Sequence, residues 1–484
     1  MTTRKVVSGG YVVSMDPALG ELQKGWVVID GDRIVEVTDV DPGIADAEVI
    51  DASGKVVLPG FVDTHRHTWQ TQLRGMVADM SMPQFFRSVR GLLSPVFGPD
   101  DVYAGSVLGA LEALDAGVTT ILDYAHTVHS PEHADAGIEG LREAGIRCLY
   151  AYGYAAAPLK EPSFKNHGER LADARRVKGE HFSSTEGLLT MGLAITETGT
   201  IPFAETIGEA RSARELGSIL TAHTGCLWGS SATMGIRELH HHGLLTGEQV
   251  HAHCNTLSPV EFALLAETGA KVSSTPETEL AMGLGDPAFR HCLEHGIEPT
   301  LGCDVVSLGS GDLFAQMRLA MSVARGVASR ELNLRGEMPE TMTPTTRDLL
   351  RWGTQNGANA LGLGSQVGSL TKGRKADLIV VGPKAGRPHM QPLADPVAAM
   401  VTQATASDVE TVLVDGTFLK RDFELVADGQ ERFVRLADES RERILSSGLA
   451  GGPLIPPPER GIVEQENALA AANLAQAYAL PHRT

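Results

Sequence analysis

Leu58-Pro59-Gly60-Phe61-Val62-Asp63-Thr64-His65-Arg66-His67 sets the architecture of this chain. An apolar, β-branched run that ends in alternating histidines reads as a buried strand with a polar tip. On a strand, residues i and i+2 share a face, so His65 and His67 point the same way and can chelate one cation. A doubly wound open sheet would carry a glycine-rich phosphate loop after its first strand, whereas Asp63-Thr64-His65 stands here.

Working outward, apolar runs at 56–62, 119–123, 147–151, 189–195, 219–223, 250–253, 271–275 and 300–304 read as eight buried strands. Most precede a helical pattern with a readable start. Ser258-Pro259-Val260-Glu261 combines an N-cap serine, a first-turn proline and a capping-box glutamate, and Ser130-Pro131-Glu132 opens a helix similarly. Eight strand–helix units predict an α/β fold, a (β/α)₈ TIM barrel over residues 58–364. Short β-branched runs recur at both ends, in residues 1–57 and 365–425, neither long enough to bury a core alone. They are expected to pair as the two halves of one small β-sandwich domain. Residues 426–484 read as a helical tail: a charged helix over 426–444, breaks at Gly451-Gly452-Pro453 and Pro456-Pro457-Pro458, and an Ala-rich helix over 464–479.

The 484 residues are 42% hydrophobic and 21% charged, a globular composition. With 41 basic and 60 acidic residues, the net charge is −19, which argues against nucleic acid or an anionic membrane as partner. No apolar run approaches ~18 residues, so neither a transmembrane helix nor a secretory signal is expected. Five scattered cysteines without a CxxC pair suit a reducing compartment. The expectation is a soluble, cytoplasmic protein acting on a small molecule.

The chemistry-bearing residues fall at the ends of the expected strands, where a barrel builds its active site. His65 and His67 end the first, His223 the fifth, His253 the sixth and Asp304 the eighth. Imidazoles with a carboxylate suit Zn²⁺, with Fe²⁺ or Co²⁺ as alternatives. His251 is a secondary candidate on the face of His253. His240, His241 and His242 follow one another on a helix and cannot converge on one ion.

The 58–67 stretch closely resembles the opening motif of the amidohydrolase superfamily, in the subgroup of cytosine and guanine deaminases, S-adenosylhomocysteine deaminase and s-triazine hydrolases. The resemblance spans residues 5–420 and includes Gly117-Val118-Thr119-Thr120 and Gly368-Ser369-Leu370-Thr371-Lys372-Gly373-Arg374-Lys375-Ala376-Asp377-Leu378. It implies that His65, His67, His223 and Asp304 bind one divalent metal, that Asp304 also acts as base, and that His253 bonds the substrate or the attacking water. Strand four ends in Ala194-Ile195-Thr196-Glu197 without a lysine, which favours one metal, with Glu197 keeping a two-metal site open. Gln72 aligns with a substrate-touching position, next to Trp69 and Gln70. His126 and His129 are further substrate-contact candidates, and Asp312, Met282 and Trp228 are candidate wall residues.

The chain departs from the subgroup at Cys226, which stands where its deaminases carry a proton-shuttling glutamate. Glu277 or Glu279, in Ser274-Thr275-Pro276-Glu277-Thr278-Glu279, is the expected replacement carboxylate facing the pocket. The implied activity is metal-dependent hydrolysis of a C–N bond, of amide, urea or carbamate type or on a ring substituent, in a small aromatic or heterocyclic molecule. The alternatives are a purine or pyrimidine deaminase, a metal-assisted lyase or dehydratase, and a non-catalytic binding barrel. A homo-oligomer, dimer or tetramer, is implied by the resemblance and the tail.

Overall fold

A computed structural model describes residues 4–184, 187–226, 235–384 and 388–458, together with residues 464, 468 and 471. Eight parallel strands lie side by side in chain order: Phe61–Arg66, Val118–Ala125, Arg147–Gly153, Leu189–Ala194, Ile219–Thr224, Gln249–His253, Lys271–Ser274 and Pro299–Leu301. They form the expected (β/α)₈ barrel. Helices such as Pro99–Asp115, Pro131–Ala144 and Pro259–Thr268 cover it, so every residue of Val118–Ala125 and Arg147–Gly153 is buried. That double burial is why these strands read as unbroken apolar runs. Glu261 accepts from the Ser258 amide at 2.8 Å, completing the cap expected there.

The barrel closes at its C-terminal rim. The Asp304 amide donates to the His65 carbonyl at 2.8 Å, and the His67 amide donates to the Asp304 carbonyl at 3.0 Å. The last strand is shorter than the 300–304 run because Asp304 joins this seam with a left-handed backbone, φ 57°.

Strands from both chain ends join in one nine-stranded sheet. Its centre is Val56–Pro59 paired antiparallel with Leu378–Val381, in the register Val57 to Val380 and Leu58 to Ile379. The run 56–62 is therefore two strands, and the chain changes sheets at Gly60. The Gly60 amide donates to the Asp377 carbonyl of one sheet, and the Phe61 amide to the Gly117 carbonyl beside the other. A side chain at Gly60 would start 2.1 Å from Thr119 Oγ1, so only glycine lets the crossing pass this close to the second barrel strand. Arg147 fastens sheet to barrel by donating to both oxygens of Asp377, at 2.8 and 3.0 Å, and to Asp415.

The charged tail helix runs Gln430–Gly448, a few residues later than its charge pattern suggests, and docks on Pro99–Asp115 through Arg443 and Ser440 to Asp101. The Ala-rich segment 464–479 lies outside the described residues apart from 464, 468 and 471. No helix among the described residues is long and apolar enough to cross a membrane.

Candidate metal centre and pocket

Four buried donors from three strand ends meet above the barrel. His65 Nε2 and His67 Nε2 lie 3.4 and 3.2 Å from Asp304 Oδ1, and His223 Nε2 lies 3.3 Å from His67 Nε2. A tetrahedral ion with ligands at ~2.0–2.1 Å has ligand–ligand edges of about 3.3–3.4 Å. These three separations match such edges, and His65, His67 and His223 each offer a ligand atom within 4.8 Å of the others. His65 is fully buried, and neither of its ring nitrogens has a hydrogen-bond partner in the protein. Such an imidazole is costly unless something else takes its lone pair. His67 Nδ1 donates to the Tyr124 carbonyl at 2.9 Å, which leaves Nε2 as the free base. Gly302 makes room below: a Cβ there would lie 2.7 Å from the His65 carbonyl oxygen.

Electrostatics holds the donors in metal-ready states. Burial pushes the His65 imidazole well below its ordinary pKa, so it is neutral. Burial pushes His223 down too, to about 4, with Glu197 opposing. Asp304 is buried, which favours its neutral form, but His65 and His67 more than offset this and hold it far below the usual carboxylate range. Both Asp304 and His253 have left-handed backbones, φ 57° and 75°. Non-glycine residues are strained there, and such strain concentrates at functional sites.

His253 faces the same space; His65, His253 and Asp304 each offer a ligand atom within 4.8 Å of the others. Its Nδ1 lies 3.1 Å from Thr275 Oγ1 and 3.5 Å from Glu279 Oε1. Burial pushes the His253 imidazole down, but the Glu279 hydrogen bond and the field of Asp304 outweigh it, leaving the ring above its ordinary pKa. Glu279 is itself buried on the short helix Pro276–Ala281, where Oε1 accepts from the Thr275 amide at 2.7 Å and Oε2 has no partner. It therefore stands behind His253. Glu277 turns the other way and accepts from Gln316 Nε2 at 2.6 Å.

A pocket opens over these donors. Met82, Phe85, Phe86, Met282 and Val305 give it apolar walls, and Arg90, His126, Glu197 and Cys226 line it as well. Glu197 Oε1 lies 3.3 Å from His223 Nδ1 and 3.7 Å from His126 Nε2, so its carboxylate sits on the far side of the His223 ring from Nε2. His126 stacks on His67 with centroids 4.4 Å apart, and neither of its ring nitrogens is hydrogen-bonded. Cys226 is buried, and burial pushes its thiol far up.

Other sequence candidates point elsewhere. Gln72 donates to the Asp101 carbonyl at 2.6 Å and to Ser440 Oγ at 3.0 Å, holding the tail helix rather than lining the pocket. His129 Nε2 donates to the Ser94 carbonyl at 2.8 Å. Gln70 accepts from Ser307 Oγ at 2.9 Å, Trp69 packs edge-on against Phe97, and Asp312 caps the helix Leu313–Leu334. His251 Nδ1 meets Thr224 Oγ1 at 2.8 Å inside the barrel, and His240 and His241 lie on the helix Ile236–His241. Trp228 lies outside the described residues. Sequence reasoning missed Arg90 and the aromatic pair Phe85-Phe86; the one available signal was an apolar, arginine-bearing insertion between the first strand and its helix.

Residues 56–419 match the Amidohydrolase family. The chain belongs to that family. Its amidohydrolase barrel is thus that of a hydrolase acting on carbon–nitrogen bonds. It is 30% identical over 457 residues to a 5-methylthioadenosine/S-adenosylhomocysteine deaminase of Symbiobacterium thermophilum, covering 90% of this chain and all of the relative. It is 28% identical over 455 residues to a 5'-deoxyadenosine deaminase of Methanosarcina mazei, covering 91% and 98%. The fold matches a zinc-bound adenosine deaminase from Xanthomonas campestris with a TM-score of 0.82, at 23% identity, over 92% of this chain and 99% of that one.

Proposed function

We propose that this amidohydrolase is a hydrolytic deaminase, which replaces an exocyclic amino group on a small nitrogen heterocycle by oxygen and releases ammonia. The observation that carries it is the convergence of the buried donors His65, His67, His223 and Asp304 beneath a pocket with apolar walls. The amide, urea or carbamate chemistry that Cys226 suggested gives way here, because the relatives aligned along nine-tenths of the chain are named as deaminases of adenosine derivatives. Glu197 and Glu279 supply carboxylates near the site in place of the glutamate missing at 226.

His65, His67, His223 and Asp304 would hold one divalent ion, and Zn²⁺ suits a buried set of imidazoles and one carboxylate best. When bound, such an ion supplies Lewis-acid chemistry, lowering a water's pKa toward ~7. The ionised Asp304 accepts the proton of the attacking water. His253, aimed by Thr275 and Glu279, holds the substrate atom on which charge develops. The amine departs only once protonated, and the proton on Asp304 is the one at hand. Water adds to the ring carbon, the C–N bond breaks, and both water protons finish on ammonia and the oxo product. His126 contacts substrate from the wall. A cytoplasmic homo-oligomer completes the reading: five buried, unpaired cysteines support a reducing compartment, and the exposed Leu334 and Met338 support a subunit contact.

Metal content per chain, with ammonia release from 5'-deoxyadenosine, 5-methylthioadenosine, guanine and cytosine, tests the proposal. One equivalent of metal, lost in His65→Ala, and ammonia release abolished by a chelator and restored by zinc are expected. A metal-loaded protein that cleaves arylamides or phenylureas but none of these amines overturns it. Two equivalents would bring Glu197 in as a ligand.

A further inference from the structure

We propose that Arg90 reads a carbonyl oxygen on the substrate ring, so that the substrate class is an oxo-substituted heterocyclic amine. This rests on the deaminase reading above and narrows it.

Arg90 lies on the π-helical stretch Phe86–Leu93, after the first barrel strand, and lines the pocket with Glu197 and His126. π-Helical segments are rare and frequent at functional sites. Its Nη1 is enclosed yet has no hydrogen-bond partner, and Arg90 makes no ion pair within 4.0 Å among the described residues. The Arg90 side chain as a whole is half-buried, whereas the fully buried arginines each donate to a protein acceptor. Arg66 donates to the Gly311 carbonyl, Arg147 to Asp377 and Arg170 to the Val128 carbonyl. A guanidinium keeps its charge and offers five donors in a flat fork, so leaving it unpaired beside a cavity is costly. The cost is removed when a planar oxygen acceptor enters the pocket.

Charge decides which acceptor. Glu197 lines the same pocket, and the carboxylate of Asp304 lies at its floor. A substrate carboxylate beside Arg90 would meet the like charge of Glu197, whereas a ring carbonyl is neutral and takes the Arg90 fork without that penalty. The apolar walls of Met82, Phe86 and Met282 suit the faces of a flat ring.

Isocytosine, 2-aminopyrimidine and 2-aminopyrimidine-4-carboxylate share one amine and differ only at one ring position. Their dissociation constants from the zinc-loaded protein, or KM values where turnover occurs, are the test. Isocytosine should bind at least about tenfold more tightly than the other two, the ratio expected for one hydrogen bond to a charged group. The margin should shrink to about twofold in Arg90→Met and recover partly in Arg90→Lys, with metal content unchanged. Equal binding of isocytosine and 2-aminopyrimidine by the unaltered protein overturns the proposal, whether or not any variant folds. So does a margin that survives in Arg90→Met, or tightest binding of the carboxylate. Failure of the deaminase reading appears separately, as absence of ammonia with these binding ratios intact.

Discussion

Glu279→Gln is the most informative single change at this site. The amide keeps the shape of the side chain and can still accept from the Thr275 amide, a bond of 2.7 Å. What it removes is a negative charge 3.5 Å from His253 Nδ1. A hydrogen bond to a charged partner contributes roughly 1.5–3 kcal/mol, against about 0.5–1.5 for a neutral one. The loss is therefore about 1–2 kcal/mol, or a ~5- to 30-fold fall in kcat/KM. The same charge helps to hold His253 above its ordinary pKa against burial. Its removal favours the neutral ring, so the limb of the pH–rate profile governed by His253 moves to lower pH. The new amide group meets the unpartnered site of Oε2, so some stability is lost as well, on the order of 1–3 kcal/mol. Ammonia release followed across pH 5 to 9, with metal content measured on the same samples, separates these effects. An unchanged profile and rate at native metal content would refute a positioning role for Glu279, as would a shift to higher pH.

Asp377→Ala strips Arg147 of two hydrogen bonds in a buried place and should cost about 3–5 kcal/mol of stability, read by denaturant unfolding; a loss under ~1 kcal/mol would show that Asp415 suffices alone. Glu209, buried against Thr196, has its pKa pushed up to about 8 by burial. The folded state therefore holds a proton that the unfolded state releases near pH 4.5, so this contribution to stability is full below that pH and lost as pH rises through 8. Glu209→Gln should flatten the fall in Tm between pH 6 and 9, and an unaltered slope contradicts the assignment. All five cysteines are buried, and burial raises the thiols of Cys148, Cys226, Cys254, Cys292 and Cys303. Native protein at pH 8 should show no fast-reacting thiol toward a disulfide reagent, and a burst of one equivalent from Cys226 would mean that the pocket opens to solvent.

Local pattern carried the barrel far. Parallel strands covered by helices are apolar along their whole length, so they stand out in chain order, and their ends stand out as the places where polarity returns. His65, His67, His223, His253 and Asp304 were legible for that reason: each stands where an apolar run reaches the rim. The boundary at Gly60 was not legible, because 56–62 is one apolar run and only the competing partners Asp377 and Gly117 divide it. Glu279 was legible as a carboxylate near the site but not in its placement, since it sits buried on a short helix behind His253.

The side chains beyond the strand ends show where pattern stops. Gln72 and Arg90 both follow the first strand, yet the 3₁₀ turn Thr68–Leu73 directs Gln72 to the tail helix while the π-helical stretch sets Arg90 at the pocket. Chain order alone determines the alternation of strand and helix, and with it which residues stand at the barrel rim, because periodicity and burial are properties of a few neighbouring residues. Which of the remaining polar groups face the pocket depends on contacts hundreds of residues apart, such as Gln72 with Ser440. Only the assembled tertiary structure decides those, since no local pattern records the direction in which a loop side chain finds its partner.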